Sequence, residues 1–226
     1  MRSLAVSALL AAALTAVTPA AAATRDFPLT NFDRIDLGGV ADVSVHTGNF
    51  AVHADGDPDT VAALLVENRR GTLFIGFRPG THLSRGKVRI AVSMPRIVAA
   101  EASGAGSLAV DRVGGPGFTA TLSGTGSLRL PAVQVDRLKV AVSGAGSALV
   151  AGRAGSIDLD LSGTGGIDAA RLRARGGRIA VSGVGAVHAL VDGPVDVSAS
   201  GIGSVTVTGH PACTVHRSGI GAIHCG

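Results

Sequence analysis

The sequence has almost no large aromatic side chains: it contains no Trp, no Tyr and only six Phe in 226 residues. Side chains on which nucleic-acid bases could stack are therefore scarce. The net charge of +4 comes from residues scattered along the chain, and all but two of the 20 basic residues are arginines. Because a nucleic-acid site needs a clustered basic stripe, the sequence predicts no nucleic-acid partner.

Long apolar runs are also absent, except at the start of the chain. Residues 1–23 carry one positive charge at Arg2, an apolar run from Leu4 to Val17 and an A-x-A site at Ala21–Ala23. This pattern predicts a secretory signal peptide cleaved before Thr24. Its apolar core is shorter than the ~20 residues of a membrane-spanning helix, and no cysteine stands at the cleavage site for lipid attachment. We therefore expect an exported periplasmic or secreted protein, not lipid-anchored and without a transmembrane segment.

Cysteine is nearly absent as well, since Cys213 and Cys225 are the only two. In an exported chain the pair predicts a disulfide, although two reduced thiols in the core remain the alternative. A zinc site could be drawn from the same region, but the spacing matches no compact ligand motif. Its candidate histidines are His188, His210, His216 and His224. We predict no metal and no cofactor.

Glycine is plentiful, and much of it belongs to a repeated motif, Ser-Gly-x-Gly. Seven copies follow one another at steps of 18 to 20 residues. Their residues are Ser103, Gly104 and Gly106; Ser123, Gly124 and Gly126; Ser143, Gly144 and Gly146; Ser162, Gly163 and Gly165; Ser182, Gly183 and Gly185; Ser200, Gly201 and Gly203; and Ser218, Gly219 and Gly221. No helix follows any copy, which argues against a phosphate-binding loop.

Apolar residues alternate with polar ones on both sides of each motif, as in strands with one buried face. A coil of about 20 residues cannot bury its own apolar face, so it must stack on its neighbours. The sequence thus predicts an all-β fold, a parallel β-helix-like solenoid of about seven coils over residues 88–226. The glycines are expected at corners that need positive φ, and the serines are expected to satisfy polar groups left free by the bend.

Residues 24–87 lack the motif but are rich in strand patterns. "DPDTVAALL" predicts a short helix with Asp57 or Asp59 at its N-cap, and "ENRRGT" predicts a hairpin turn. We expect this region to form a strand-rich cap that is continuous with the solenoid, because an open solenoid end exposes a sheet edge.

Outward positions of the repeats carry alternating charges. Lys139, Asp158, Arg178 and Asp196 stand four residues before successive motif serines, and Asp160 lies beside Asp158. These residues could form a surface charge ladder that fixes register, each pair being worth ~0–1 kcal/mol. Alternatively they could line a glycan-binding or catalytic groove.

The series "ASGAGS", "LSGTGS", "VSGAGS" and "VSGVGA", after an N-terminal "FDRIDLGGVADVSVHTGN", resembles the GIN-domain family, the head domain of putative auto-transporter adhesins. The resemblance covers about residues 32–221. It implies a bacterial envelope or secreted protein with a right-handed parallel β-helix-like fold, and no catalytic residues carry over from the family.

These patterns favour a non-enzymatic, adhesin-like binding or structural module of the cell envelope, with a polysaccharide or another envelope protein as its partner. The alternative is a polysaccharide-acting enzyme that uses Asp158, Asp160 and Arg178.

Overall fold

A computed structural model describes residues 22–80 and 87–226, and it is nearly all β. All but the last two residues of the predicted signal peptide lie outside the described residues. The elements, in chain order, are β1 (Ala23–Asp26), β2 (Arg34–Leu37), β3 (Asp42–Thr47), β4 (Ala51–Gly56), α1 (Pro58–Ala63), β5 (Leu64–Arg69), β6 (Thr72–Phe77), β7 (Val88–Met94), β8 (Ala99–Ala102), β9 (Ser107–Val110), β10 (Val113–Leu122), β11 (Ser127–Val142), β12 (Ser147–Leu161), β13 (Thr164–Ala174), β14 (Gly177–Val181), β15 (Val184–Ala199), β16 (Ser204–Arg217) and β17 (Ile223–Cys225).

The repeat region is a parallel β-solenoid of about six turns, which confirms the predicted fold class. Each coil pairs in parallel with the coils before and after it: Leu138 of β11, for example, pairs with Phe118 of β10 and Ile157 of β12. The inward side chains form one continuous apolar core along the axis, and Leu138, Val140 and Val142 are each at most 1% exposed. The alternation in the sequence therefore marks the buried positions correctly.

Each coil contributes three sheet faces, which strand β11 illustrates. Ser127–Leu130, just after a corner, belongs to the post-corner face; Val133–Val135 belongs to the return face; and residues 137–142, just before the next corner, belong to the pre-corner face. The register slips between Leu130 and Val133, where the chain bends from one face to the next. Outward side chains of successive coils therefore stack in columns on three separate surfaces.

The Ser-Gly-x-Gly corners stack as predicted, but the predicted reason for their glycines is wrong. None of these glycines has a positive φ. Instead, a Cβ built on Gly124 would lie less than 3.0 Å from the backbone of Gly104 and Ser103 in the preceding coil, and one on Gly144 would meet Gly124 in the same way. Glycine is required because the backbones of successive corners approach too closely for any side chain.

Apart from Ser103, the corner serines do not have the predicted role of satisfying backbone groups that the bend leaves unpaired. Backbone amides at the corners bond directly to carbonyls of the preceding coil, as Ser123 N does to Ala102 O at 2.9 Å and Thr125 N does to Gly104 O at 3.2 Å. Among the described corner serines, only the Ser103 hydroxyl donates to a protein group, the Leu37 carbonyl at 3.5 Å. The ladder of backbone hydrogen bonds thus continues through the bend without help from the side chains.

The N-terminal strands add further layers beneath the first repeat. Strands β2 and β3 lie directly against β8 and β9, and the chain between them, Gly38–Ala41, stacks under the Ser103 corner. This segment is an additional corner that does not match Ser-Gly-x-Gly, because Gly38 stands at the serine position and Ala41 at the second glycine position. An added Cβ on Gly106 would clash with the Ala41 backbone.

The N-terminal end of the stack is closed by antiparallel strands. Strand β5 pairs antiparallel with β6 through the predicted hairpin turn, and β1 pairs antiparallel with β4. Helix α1 is also present as predicted, with Asp57 as its N-cap accepting a hydrogen bond from Thr60 N at 3.2 Å. These strands belong to the same hydrogen-bonded sheet as the strands of the solenoid.

The last coil is held by the predicted disulfide between Cys213 and Cys225, whose Cα atoms are 6.6 Å apart. Strand β17 pairs with Val205–Val207 only. The bridge links the short final strand to the pre-corner part of β16 and restrains the end of the chain.

Candidate binding surfaces

The predicted charge column lies on the pre-corner face. Lys139 pairs with Asp158, Asp158 with Arg178, and Arg178 with Asp196 in the strand register, as the repeat spacing indicated. Lys139 Nζ lies 3.5 Å from Asp158 Oδ2, and both side chains are about half exposed. Arg178 makes no ion pair within 4.0 Å among the described residues.

Asp160 stands in the neighbouring column, between Ala141 and Ala180, and not in line with a cation. A depression of about 350 Å³ beside these columns is lined by Lys139 and Asp158, but not by Asp160 or Arg178. The structure therefore does not bring Asp158, Asp160 and Arg178 into one depression. The charges of the two cations and three anions in the predicted set nearly cancel. This is the pattern expected of a surface charge ladder that fixes the strand register.

A larger groove, which the sequence interpretation missed, lies on the return face. Two adjoining depressions of about 640 and 520 Å³ share Gly115, Gln134 and Arg153. The charged side chains that line them are Arg112, Asp136, Arg153, Arg173, Arg175 and Asp192. Four cations against two anions leave a net charge of +2, so arginines that are scattered in the sequence gather here in space.

The local sequence explains why the arginines point outward. In "RLRARG", Leu172, Ala174 and Gly176 are buried, and the three intervening arginines are exposed. The parallel register places Arg153 of the preceding coil directly beside Arg173. This alternation is the local sequence signal for an outward row of arginines, but it does not show which residues of the neighbouring coils lie beside them.

Glycines form the floor of the groove. Gly115 and Gly152 have φ values of 118° and 128°, in the region that favours glycine, and they leave no side chain above the bends. A Cβ on Gly155 would lie 3.3 Å from Arg175 Nη2, so the Arg175 guanidinium lies across that bare backbone. The Arg175 guanidinium therefore lies close to the floor of the groove.

Asp192 closes one end of the groove and neutralises one arginine. Arg173 Nε donates to Asp192 Oδ2, while the backbone N and ring Nδ1 of His210 each lie 3.1 Å from Oδ1. The hydrogen bond from Arg173, followed by those from His210, holds the pKa of Asp192 below its usual value. Arg153 and Arg175 have no hydrogen-bond or ion-pair acceptor among the described residues.

The planar fork of N–H donors on a guanidinium matches the paired oxygens of a carboxylate or phosphate. The arrangement can therefore hold anions on the protein surface.

Among the described residues, no group of three or more His, Cys, Asp or Glu side chains is placed to hold a metal ion. Within residues 22–80 and 87–226, no helix is both long and apolar enough to cross a membrane.

A family model described as "Putative auto-transporter adhesin, head GIN domain" matches residues 31–211. The chain belongs to the GIN-domain family. The matched range includes the return-face groove and all but the last of the corners, so the features described above fall within the family domain.

Solved structures share the fold of this GIN-domain chain. A putative adhesin from Bacteroides fragilis superposes with a TM-score of 0.84 at 22% identity, covering 90% of this chain and 96% of that one. Two proteins from Parabacteroides distasonis, a putative adhesin and a putative lipid binding protein, give TM-scores of 0.74 and 0.69 at 20% and 18% identity with the same coverage. No curated protein sequence matches this chain significantly.

Proposed function

We propose that this GIN-domain protein is a non-enzymatic binding module of the bacterial cell envelope, exported by residues 1–23, and that its ligand lies in the return-face groove. The adhesin naming of the family and of its structural relatives supports a binding role. The observation that carries the proposal is the arginine-lined groove, because two of its guanidiniums have no partner among the residues that the structure describes. On the pre-corner face, by contrast, the two positive and three negative charges of the predicted charge column nearly cancel.

The chemistry of the groove favours holding an anion over transforming it. An arginine keeps its proton at neutral pH and cannot act as a general base. Asp192 is engaged by Arg173 and His210, and its lowered pKa makes it a weaker base. Asp136 lies three coils from Asp192, which is about 14 Å at the rise of a β-sheet, and paired glycosidase carboxylates stand within roughly 10 Å of each other.

The test is a glycan and envelope-protein array probed with the protein recovered after export. We expect binding that is lost in Arg153→Gln/Arg175→Gln and retained in Arg89→Gln/Arg129→Gln, a control pair of exposed arginines on the post-corner face. Binding that survives the first double substitution would place the site elsewhere. Cleavage of a bound polysaccharide, abolished by Asp160→Asn, would instead support the enzyme that uses Asp158, Asp160 and Arg178.

A further inference from the structure

We infer that the return-face groove takes a linear acidic polysaccharide, whose carboxylates pair with the guanidiniums of Arg153 and Arg175. This inference rests on the proposed function and adds the chemical class of the ligand. It depends on three properties of the groove: its length across the coils, its unpaired charges and its lack of aromatic side chains.

The groove runs along the stack of coils and crosses the strands. Gly115, Gln134, Arg153, Arg173 and Asp192 lie on five successive coils of the return face. At a coil rise of about 4.8 Å, the first and last of these are roughly 19 Å apart. A single small anion would occupy only a fraction of this length, whereas an extended polymer can contact several coils at once.

The charges in the groove are placed for repeated anionic groups. Arg153 stands beside Arg173, and the Arg175 guanidinium lies over Gly155 of the same coil as Arg153. Asp192 engages Nε of Arg173, but it does not reach Arg153 or Arg175 within 4.0 Å. Two guanidiniums on neighbouring coils are thus free for carboxylates spaced along one polymer chain.

The side chains that are missing from the groove exclude two other ligand classes. None of the six Phe lines either depression, and the chain has no Trp or Tyr. Single-stranded nucleic acids gain much of their affinity from bases stacked on aromatic rings, and an uncharged polymer would leave the guanidiniums without a partner. An acidic polysaccharide satisfies the charges without needing an aromatic platform.

The experiment measures binding of the exported protein to polygalacturonate and to alginate by titration calorimetry, with fully methyl-esterified polygalacturonate as the uncharged control polymer. We expect at least one acidic polymer to bind and the esterified polymer not to bind. Binding should be lost at 1 M NaCl, where the Debye length is about 3 Å. Arg153→Gln/Arg175→Gln should weaken binding about tenfold or more, while Arg89→Gln/Arg129→Gln should stay within about twofold of the unmodified protein.

A second variant tests the same site by a gain in affinity. Asp192→Asn removes the anion that engages Arg173, so it should tighten binding of the acidic polymer. Unchanged or weaker binding in a variant with the same circular dichroism spectrum would contradict the inference. This outcome does not depend on whether the double arginine variant folds.

The remaining outcomes separate the ligand class from the proposed function. If neither acidic polymer binds but the array shows Arg153-dependent binding of a neutral glycan or a protein, the ligand class is wrong and the binding module stands. If DNA competes as well as either polysaccharide, the site is a general polyanion site and the polysaccharide assignment fails. If nothing binds on the array or in the titrations, both proposals fail.

Discussion

Replacing Gly124 by alanine should destabilise the solenoid far more than an alanine normally does in a strand. The added Cβ would lie less than 3.0 Å from the Gly104 carbonyl group and the Ser103 carbonyl oxygen. All of these are backbone atoms within a stack of coils, so no rotamer change can relieve the contact. The two corners must instead move apart.

The size of the effect follows from two terms. Overpacking in a rigid interior costs about 1–3 kcal/mol. Separating the corners also weakens the bonds from Ser123 N to Ala102 O and from Thr125 N to Gly104 O, now 2.9 and 3.2 Å long, at about 0.5–1.5 kcal/mol each. The expected loss is therefore about 2–6 kcal/mol, a large part of the 5–15 kcal/mol that typically stabilises a domain.

The assay is urea unfolding followed by far-ultraviolet circular dichroism, since the chain has no Trp or Tyr to report by fluorescence. Gly114→Ala is the matched control: its added Cβ has only the Gln134 carbonyl oxygen nearby, at 3.8 Å, and its φ is not positive. We expect the control to be neutral or to gain up to about 1 kcal/mol. Equal stability of the two variants would refute the close-approach explanation of the corners.

Three further predictions concern other parts of the fold. Cys213→Ser/Cys225→Ser should speed hydrogen exchange of the backbone amides in the last coil. It should lower the free energy of unfolding by at most about 3 kcal/mol, because the disulfide closes a loop with a sequence separation of only 12. Unchanged exchange in the last coil would contradict the restraining role of the disulfide. Lys139→Ala should change the free energy of unfolding by less than about 1 kcal/mol, because the ion pair between Lys139 and Asp158 is half exposed. A larger loss of stability in urea unfolding would show that the charge column does more than fix the strand register. Burial raises the pKa of Asp36, so ionisation of this carboxyl increasingly opposes folding as the pH rises above the ordinary aspartate pKa. Asp36→Asn should therefore raise the melting temperature at pH 7, and the gain should vanish once the pH falls below the ordinary aspartate pKa.

Much of the fold could be predicted because a strand repeats its inward and outward positions every two residues and the coils repeat every 18 to 20. This is why the stacking of Lys139 on Asp158 and the burial of Leu138 and Val140 were predicted correctly. The corner at residues 38–41 could not be predicted from the motif, because Gly38 stands at the serine position and Ala41 at the second glycine position. Its place in the stack depends on which coil lies beneath the first repeat, and strand patterns do not specify that.

The return-face groove could be predicted only in part. The alternation in residues 171–176 shows which arginines face outward, but the register slips between Ala169 and Arg173. After the slip Leu190 lies beside Arg173 in the backbone register, and the Arg173 side chain reaches Asp192, two residues further along that coil. The alternation alone does not show this contact between neighbouring coils. The bare floor at Gly115 likewise forms part of the groove only because its coil lies beside those of Gln134 and Arg153.

The sequence by itself determined the alternating strands, the repeated corners and the family resemblance, because each of these is local or recurs every 18 to 20 residues along the chain. Only the tertiary structure decided why the corners are glycine and where the unpaired positive charges gather. Both depend on distances between neighbouring coils: the backbone of Gly104 excludes a side chain at Gly124, and the stacking of Arg153 on Arg173 builds a surface that no single coil contains.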